Sequence, residues 1–301
     1  MDKIPFPSWV DSTILETFKT CEKMAYWQFL RHLKTKNNSN EDLRSGGAFA
    51  QGLEVARNLF YVGGKSEEEA TARGMEALWK DYGLTTEEED KGKKSWKATT
   101  KAFLSYLSAF PLATEPFPPM LLNGRAAVEF TFSIPLPRTR HPESGEPIMF
   151  SGKCDVVSQP KDTTYIIDEK TTSRIGPGWA QKWHLRAQFI SYIWALQQYN
   201  FPAKGVIVRG IPIGLADSNP MEAIIMAQDW KISMWLEMAI NTVNSMISAW
   251  KVGYWSPNLG YACTRCQFVR LCDSPDPEPW IASYYMPYHW NPLTKELHER
   301  H

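Results

Sequence analysis

Apolar residues recur every three or four positions along the first third of the chain, which predicts a run of helices. The first starts at a cap, Asp11 or Ser12, and runs to about His32, carrying Cys21 and Tyr26. After the polar loop KTKNNSNEDLRSGG, three more are expected at about 47–62, 66–82 and 93–109. A Pro-rich stretch at 111–119 closes this helical part. The period then shortens to two, with strands expected at about 126–135 (AAVEFTFSIP), 148–157 and 163–171, the first two joined by the turn HPESGEP. A helix at about 178–199, strands at about 205–213 and 222–228, and a long helix at about 229–252 follow. The tail DSPDPEPWIASYYMPYHWNPL, rich in proline and aromatics, is expected on the surface without regular structure. The pattern is that of an α/β fold with a central sheet flanked by helices. Its expected parts are a helical region over 1–120, a core over 121–255 and a cysteine-bearing region with the tail over 256–301, packed as one unit.

Composition narrows this picture. At 301 residues and 43% hydrophobic, the chain can bury a substantial core as one large or two smaller domains. It has no apolar run of about 18 residues, so no membrane-spanning helix is expected. The start, MDKIPFPSWVDS, lacks the basic and apolar regions of a signal peptide, which points to a reducing cytoplasm. The 33 basic and 33 acidic residues balance, so any attraction for a polyanion must be local. Lys91, Lys93, Lys94, Lys97 and Lys101 cluster around Trp96, although a solvated helix face is the plainer reading of that run. Arg174, Lys182 and Arg186, interleaved with Trp179 and Trp183, pair phosphate-neutralising cations with rings that can stack on bases.

The charges that matter most sit where two strands meet. The stretch from Phe150 to Ser173, FSGKCDVVSQPKDTTYIIDEKTTS, reads as strand, turn and strand. Asp155 lies on the first strand, Asp168 and Lys170 on the second. Strand residues two apart share a face, so Asp168 and Lys170 look one way and Glu169 the other, and a hairpin brings Asp155 alongside. The second strand is apolar through Tyr165, Ile166 and Ile167 until the charges arrive together at its end. Two carboxylates and an amine on one surface suit a hard divalent cation and an activated water, the chemistry of phosphodiester hydrolysis. A solvated strand face is the alternative, and a D-x-K pair alone does not separate the two. Gly152 marks a close approach of backbone or ligand. Gln188 and Tyr192 share a helix face at i, i+4, from which both can reach a phosphate or the site's water.

The order Gly152-x-x-Asp155, Asp168-x-Lys170, Gln188-x-x-x-Tyr192 resembles the PD-(D/E)XK nuclease superfamily, in particular its RecB-like branch. The resemblance implies a restriction-endonuclease-like mixed sheet and Mg2+ or Mn2+ held by Asp155, Asp168 and the Glu169 carbonyl. It also implies that Lys170 acts on the attacking water and that Gln188 and Tyr192 complete the site. Many members carry an upstream Gly-x-x-x-His-x-x-Leu-Glu helix whose His binds metal. Here the segment runs from Gly46 to Glu54, with Ala50 or Gln51 at the His position depending on the alignment. Glu54 is then the candidate third ligand. Glu129, early in the first core strand where similar nucleases often have an acid, is a secondary candidate; an outward-facing carboxylate fits it equally.

Three of the five cysteines form Cys263-x2-Cys266-x5-Cys272, a spacing that suits metal or cluster ligation better than disulfides. Cys21 is available as a fourth ligand, and Cys154 reads as a small buried hydrophobe. One early and three late cysteines are similar to the iron–sulfur exonucleases of the RecB-like branch, such as the AddB nuclease domain and the small nucleases of CRISPR adaptation. There a [4Fe–4S] cluster pins the N-terminal helix to the C-terminus; a Zn2+ site with four thiolates fits the count as well. Closing the loop from Cys21 to Cys263 restricts the unfolded chain by about 5 kcal/mol.

The expected activity is metal-dependent cleavage of DNA, as an exonuclease in recombination, repair or phage DNA processing. Two alternatives stay open: a non-catalytic DNA-binding or regulatory protein on the same scaffold, and a module active only with a helicase or recombination partner. No interface for a homo-oligomer is legible in the sequence.

Overall fold

The computed structural model describes residues 4–36, 41–83, 94–214 and 219–293, the side chains of 41–43 excepted. In chain order these form β1 (Trp9–Val10), α1 (Ser12–Thr20), α2 (Glu22–Ala25), β2 (Leu33–Thr35), α3 (Glu41–Tyr61), α4 (Glu67–Tyr82) and α5 (Trp96–Ala109). Next come β3 (Leu121–Leu122), β4 (Arg125–Ala126), β5 (Val128–Pro135), β6 (Met149–Ser158), β7 (Thr164–Thr172), α6 (Ala187–Gln198), β8 (Ala203–Pro212) and β9 (Met221–Met226). The last are α7 (Asp229–Val252), α8 (Val269–Cys272), α9 (Glu278–Tyr284) and β10 (Tyr285–Pro287). The chain divides into two compact units, one of residues 1–38, 132–152 and 233–294, the other of 39–131, 153–232 and 295–301.

The second unit holds the heart of a mixed sheet. β6 pairs antiparallel with β7, β7 parallel with β8, and β8 antiparallel with β9. Alternation along the strands separates two faces. Odd-numbered residues of β7 and β8 look toward the helices α3, α4 and α5, whose Phe49, Leu53, Leu78, Phe103 and Tyr106 pack with Ile211 and Ile213. Even-numbered residues look toward α6 and the short turn before it. The outcome is a mixed α/β sheet covered by helices, as the periodicity predicts.

In the other unit the chain departs from expectation in three places. The first helix is not continuous to His32: the backbone is extended at Cys21 (φ −164°), between α1 and α2, and a π turn follows at Tyr26–Leu30. Asp11 caps α1, its Oδ1 accepting from Ile14 N at 2.7 Å. The tail expected to be irregular folds instead. Proline in the first turn starts α9, and β10 pairs antiparallel with β2. Trp27, Leu33, Phe268, Leu271 and Tyr285 then form a small core. Finally, what lies against Gly152 is the Phe132 ring, 2.5 Å from where a Cβ would stand, and not backbone or ligand. Among the described residues no helix is long and apolar enough to cross a membrane.

Candidate active site

The β6–β7 ladder runs Ser158↔Tyr165, Val157↔Ile166, Val156↔Ile167 and then stops. One residue further along β7 begins the charged run. Asp168 is 1% exposed, and its Oδ1 lies 2.7 Å from Lys170 Nζ. Glu169 N donates to Asp155 Oδ2 at 2.8 Å, so a carboxylate takes a main-chain donor just where the two strands cease to pair. Burial pushes the Asp155 carboxyl well above the ordinary carboxylate range; the Asp168 charge adds to this and Lys170 opposes it. Asp168 is also raised by burial, again opposed by Lys170. For Lys170, burial works against the charge, but Asp168 and Asp155 outweigh it and the pKa rises. The two carboxylates thus share one ammonium.

The facing helix closes the site. Gln188 Nε2 donates to the Tyr192 hydroxyl at 2.8 Å. Burial pushes the Tyr192 phenol far up, with Cys154, Asp168 and Asp155 contributing, which sets it within electrostatic reach of the carboxylates. Phe189 lies under the Lys170 ammonium, 5.8 Å from its ring centre. Arg186, exposed just before α6, is close enough for its charge to lower the Asp168 pKa. Glu129 ion-pairs with Lys153, and its charge is among those raising Asp155. Its backbone is left-handed (φ 54°), a conformation that costs a residue other than glycine about 1–3 kcal/mol.

Behind β7 lies a constellation with no signal in the sequence. Glu169, pointing away from Asp168, receives Arg57 Nη2 at 2.5 Å and Nη1 at 3.2 Å, and the Tyr106 hydroxyl at 2.7 Å. The same hydroxyl accepts from Arg209 Nη1 at 2.9 Å, and Arg209 grips Glu115 through two contacts of 2.7 Å. Burial works against the charge on Glu169, but Arg57 and then Arg209 hold its carboxyl below the usual range. These partners come from α3, α5, the segment after α5, and β8, and only the fold brings them together.

On the upstream helix, Gln51 and Glu54 are half-buried. Among the described residues, no three His, Cys, Asp or Glu side chains gather closely enough to hold a metal ion, so Glu54 does not join Asp155 and Asp168 in such a group. The pair nevertheless fits a cation. Buried Asp168 and half-buried Asp155 share one ammonium, and Asp168 Oδ1 is enclosed without an aligned hydrogen bond. All-oxygen donors of this kind suit Mg2+ or Mn2+.

The candidate DNA-contacting residues divide. Arg174, Lys182 and Arg186 are exposed, and Lys182 Nζ stands 4.3 Å from the Trp183 ring centre. Trp179 and Trp183 are only 4% and 9% exposed, which corrects the reading of their rings as stacking platforms. Trp179 lies over Gly210, where a Cβ would stand 2.4 Å from its ring. In the lysine run, Lys94 is buried beside Tyr82, Lys97 lies against Trp96, and Lys91 and Lys93 fall outside the described residues.

Cys21, Cys263, Cys266 and Cys272 lie in the first unit and Cys154 in the second, and all five are free thiols. Asn258 N donates to Cys21 Sγ at 3.4 Å, and Cys263 Sγ donates to Asn258 O at 3.7 Å. Burial raises the Cys266 thiol, with Cys21 and Cys263 adding to it. Burial likewise raises Cys272, where Trp27 opposes and Cys266 and Cys21 add. Cys21 therefore neighbours the late cysteines, although the four sulfurs are not gathered as a metal-holding group.

The model of the PD-(D/E)XK nuclease superfamily matches residues 12–273, most of the chain and both constellations. The chain belongs to that superfamily. A solved structure from Eubacterium rectale, named as a candidate exonuclease, is 13% identical and aligns over 86% of this chain and 88% of its own, with a TM-score of 0.51. At that identity the likeness bears on the fold. A second, SSO0001, aligns over 49% of this chain and 59% of its own at 17% identity, with a TM-score of 0.31. No curated protein matches the sequence. Asp168 and Lys170 stand in the middle of β7, just past its last pairing with β6.

Proposed function

We propose that the protein is a metal-dependent deoxyribonuclease that digests DNA from an end. The observation that carries the reading is the meeting of Asp155, Asp168 and Lys170 at the end of the β6–β7 ladder, with Asp168 Oδ1 2.7 Å from Lys170 Nζ. Asp155, Asp168 and the Glu169 carbonyl would hold Mg2+ or Mn2+, which when bound supplies Lewis acidity toward water and phosphate. Lys170 stands beside the attacking water. Its ammonium favours loss of the water's proton and offsets charge on the phosphorane as the new P–O bond forms and the leaving oxygen departs. Gln188 and Tyr192 orient the phosphate or the water. Exposed Arg174, Lys182 and Arg186 neutralise backbone phosphates along the approach. Glu129, ion-paired to Lys153 beside Asp155, is a secondary ligand.

The RecB-like resemblance and the name of the Eubacterium rectale structure support the exonucleolytic reading, and recombination, repair or phage DNA processing is the role proposed with it. Cys21, Cys263, Cys266 and Cys272 are the proposed ligands of a [4Fe–4S] cluster, supported by the proximity of Cys21 to the late cysteines. Protein purified without oxygen should show a broad visible absorption band; a colourless protein with stoichiometric zinc overturns the cluster in favour of Zn2+. Linear and circular labelled DNA, incubated with Mn2+, test the activity. Product from the linear form alone, lost in Asp155→Ala, is expected. Equal cutting of circles makes the enzyme an endonuclease, and metal-independent binding without product makes it a scaffold.

A further inference from the structure

Glu169 occupies a peculiar place. Its main-chain N–H holds Asp155 Oδ2 at 2.8 Å, and its two neighbours in sequence are Asp168 and Lys170. Its side chain passes through the sheet to the opposite face, into a buried polar network. Arg57 contacts both carboxylate oxygens, at 2.5 and 3.2 Å, and Tyr106 donates to Oε1 at 2.7 Å. Tyr106 is itself fixed by two guanidinium donors, Arg57 Nη2 and Arg209 Nη1, each at 2.9 Å. Both side chains of the Arg57–Glu169 pair are 7% exposed, so the contact is hardly screened by solvent. Bidentate charged contacts of this kind fix orientation as well as supply energy.

We infer that Arg57 and Tyr106 are positioning residues for the cation site: by clamping the Glu169 side chain they fix the backbone that presents Asp155, Asp168 and the Glu169 carbonyl. The inference rests on the proposed metal-dependent cleavage, and it assigns a function to residues that touch neither metal nor DNA. A network with a purely structural role would pack α3 and α5 on the sheet and leave the geometry of the opposite face indifferent to its loss. A clamp on Glu169 acts at zero remove from that face, since the clamped residue itself supplies the donor to Asp155.

Two conservative variants test this. Tyr106→Phe deletes one donor to Glu169 and keeps the ring; Arg57→Lys keeps the charge and loses the fork. Mn2+ binding is measured directly by electron paramagnetic resonance titration, apart from cleavage, and thermal melting is followed in parallel. Loss of a group that orients a ligand typically weakens metal affinity about 10–100-fold. The expected result for Tyr106→Phe is Mn2+ affinity about tenfold lower, cleavage restored toward the wild-type rate at saturating Mn2+, and an unfolding curve that stays cooperative. Arg57→Lys should lower the affinity further. If wild type binds Mn2+ and both folded variants bind it equally well, the positioning role is wrong while the nuclease reading stands. If wild type neither binds Mn2+ nor cleaves, both fall together.

Discussion

Replacing Arg209 with methionine removes a cation that holds three side-chain partners and keeps most of its apolar stem. Arg209 is 1% exposed. Its guanidinium makes two contacts of 2.7 Å with Glu115, one of 2.9 Å with Glu222 and one of 2.9 Å with Tyr106, and it lies 3.9 Å from the Phe110 ring centre. Methionine leaves Glu115, whose side chain is 8% exposed, without its guanidinium partner and with the Phe117 N–H as its remaining donor. Breaking a buried pair in this way costs about 3–5 kcal/mol. Set against a domain stability of about 5–15 kcal/mol, that is a large part of the whole. Urea unfolding followed by tryptophan fluorescence reads it as a lower midpoint. Adding Glu115→Leu to Arg209→Met should restore about 1–3 kcal/mol, because the orphaned charge is then gone. A single variant within about 1 kcal/mol of wild type would refute the reasoning, since the network would then be solvated and energetically idle.

Three further outcomes follow from the site's faces. The Asp155 carboxyl has a folded pKa raised above 3.8, so its share of metal-free stability is present below that pH and is lost as pH rises through the folded value. Asp155→Asn should therefore melt higher than wild type near neutral pH without metal, with the gap closing toward pH 4 and shrinking when Mn2+ is added; a gap independent of pH speaks against the buried charge. Under the proposed role the carboxylates would hold the metal in their ionised form, so wild-type cleavage at limiting Mn2+ should also increase with pH. Gly210→Ala forces a Cβ to 2.4 Å from the Trp179 ring and should cost about 1–3 kcal/mol in the same urea assay. An unchanged midpoint with weaker DNA binding would instead return Trp179 to the surface.

Much of the candidate site's arrangement was legible along the chain because it is local. Asp168 and Lys170 share a strand face by period alone, Asp155 is one hairpin away, and Gln188 and Tyr192 lie on one helical turn. Apolar periodicity likewise placed α4, α5, α7 and the core strands within about three residues of their ends, whereas α3 begins at Glu41, six residues inside the expected loop. Charge spacing cannot say which aromatic ring is covered. Trp179 reads as a stacking platform beside Lys182 until Gly210 supplies the gap that buries it. Nor does periodicity see Cys21 breaking the first helix, or the tail adding β10 to β2, since both depend on partners more than two hundred residues away. The Arg57–Tyr106–Glu169 network is the extreme case. Arg57 and Glu169 are 112 residues apart, and Tyr106 and Arg209 are 103 apart, so nothing in either neighbourhood announces a partner. Sequence determined which strand face bears the carboxylates, because alternation is a property of the backbone. Only the tertiary structure decided what stands behind them, because a buried charge finds its counter-charge through packing.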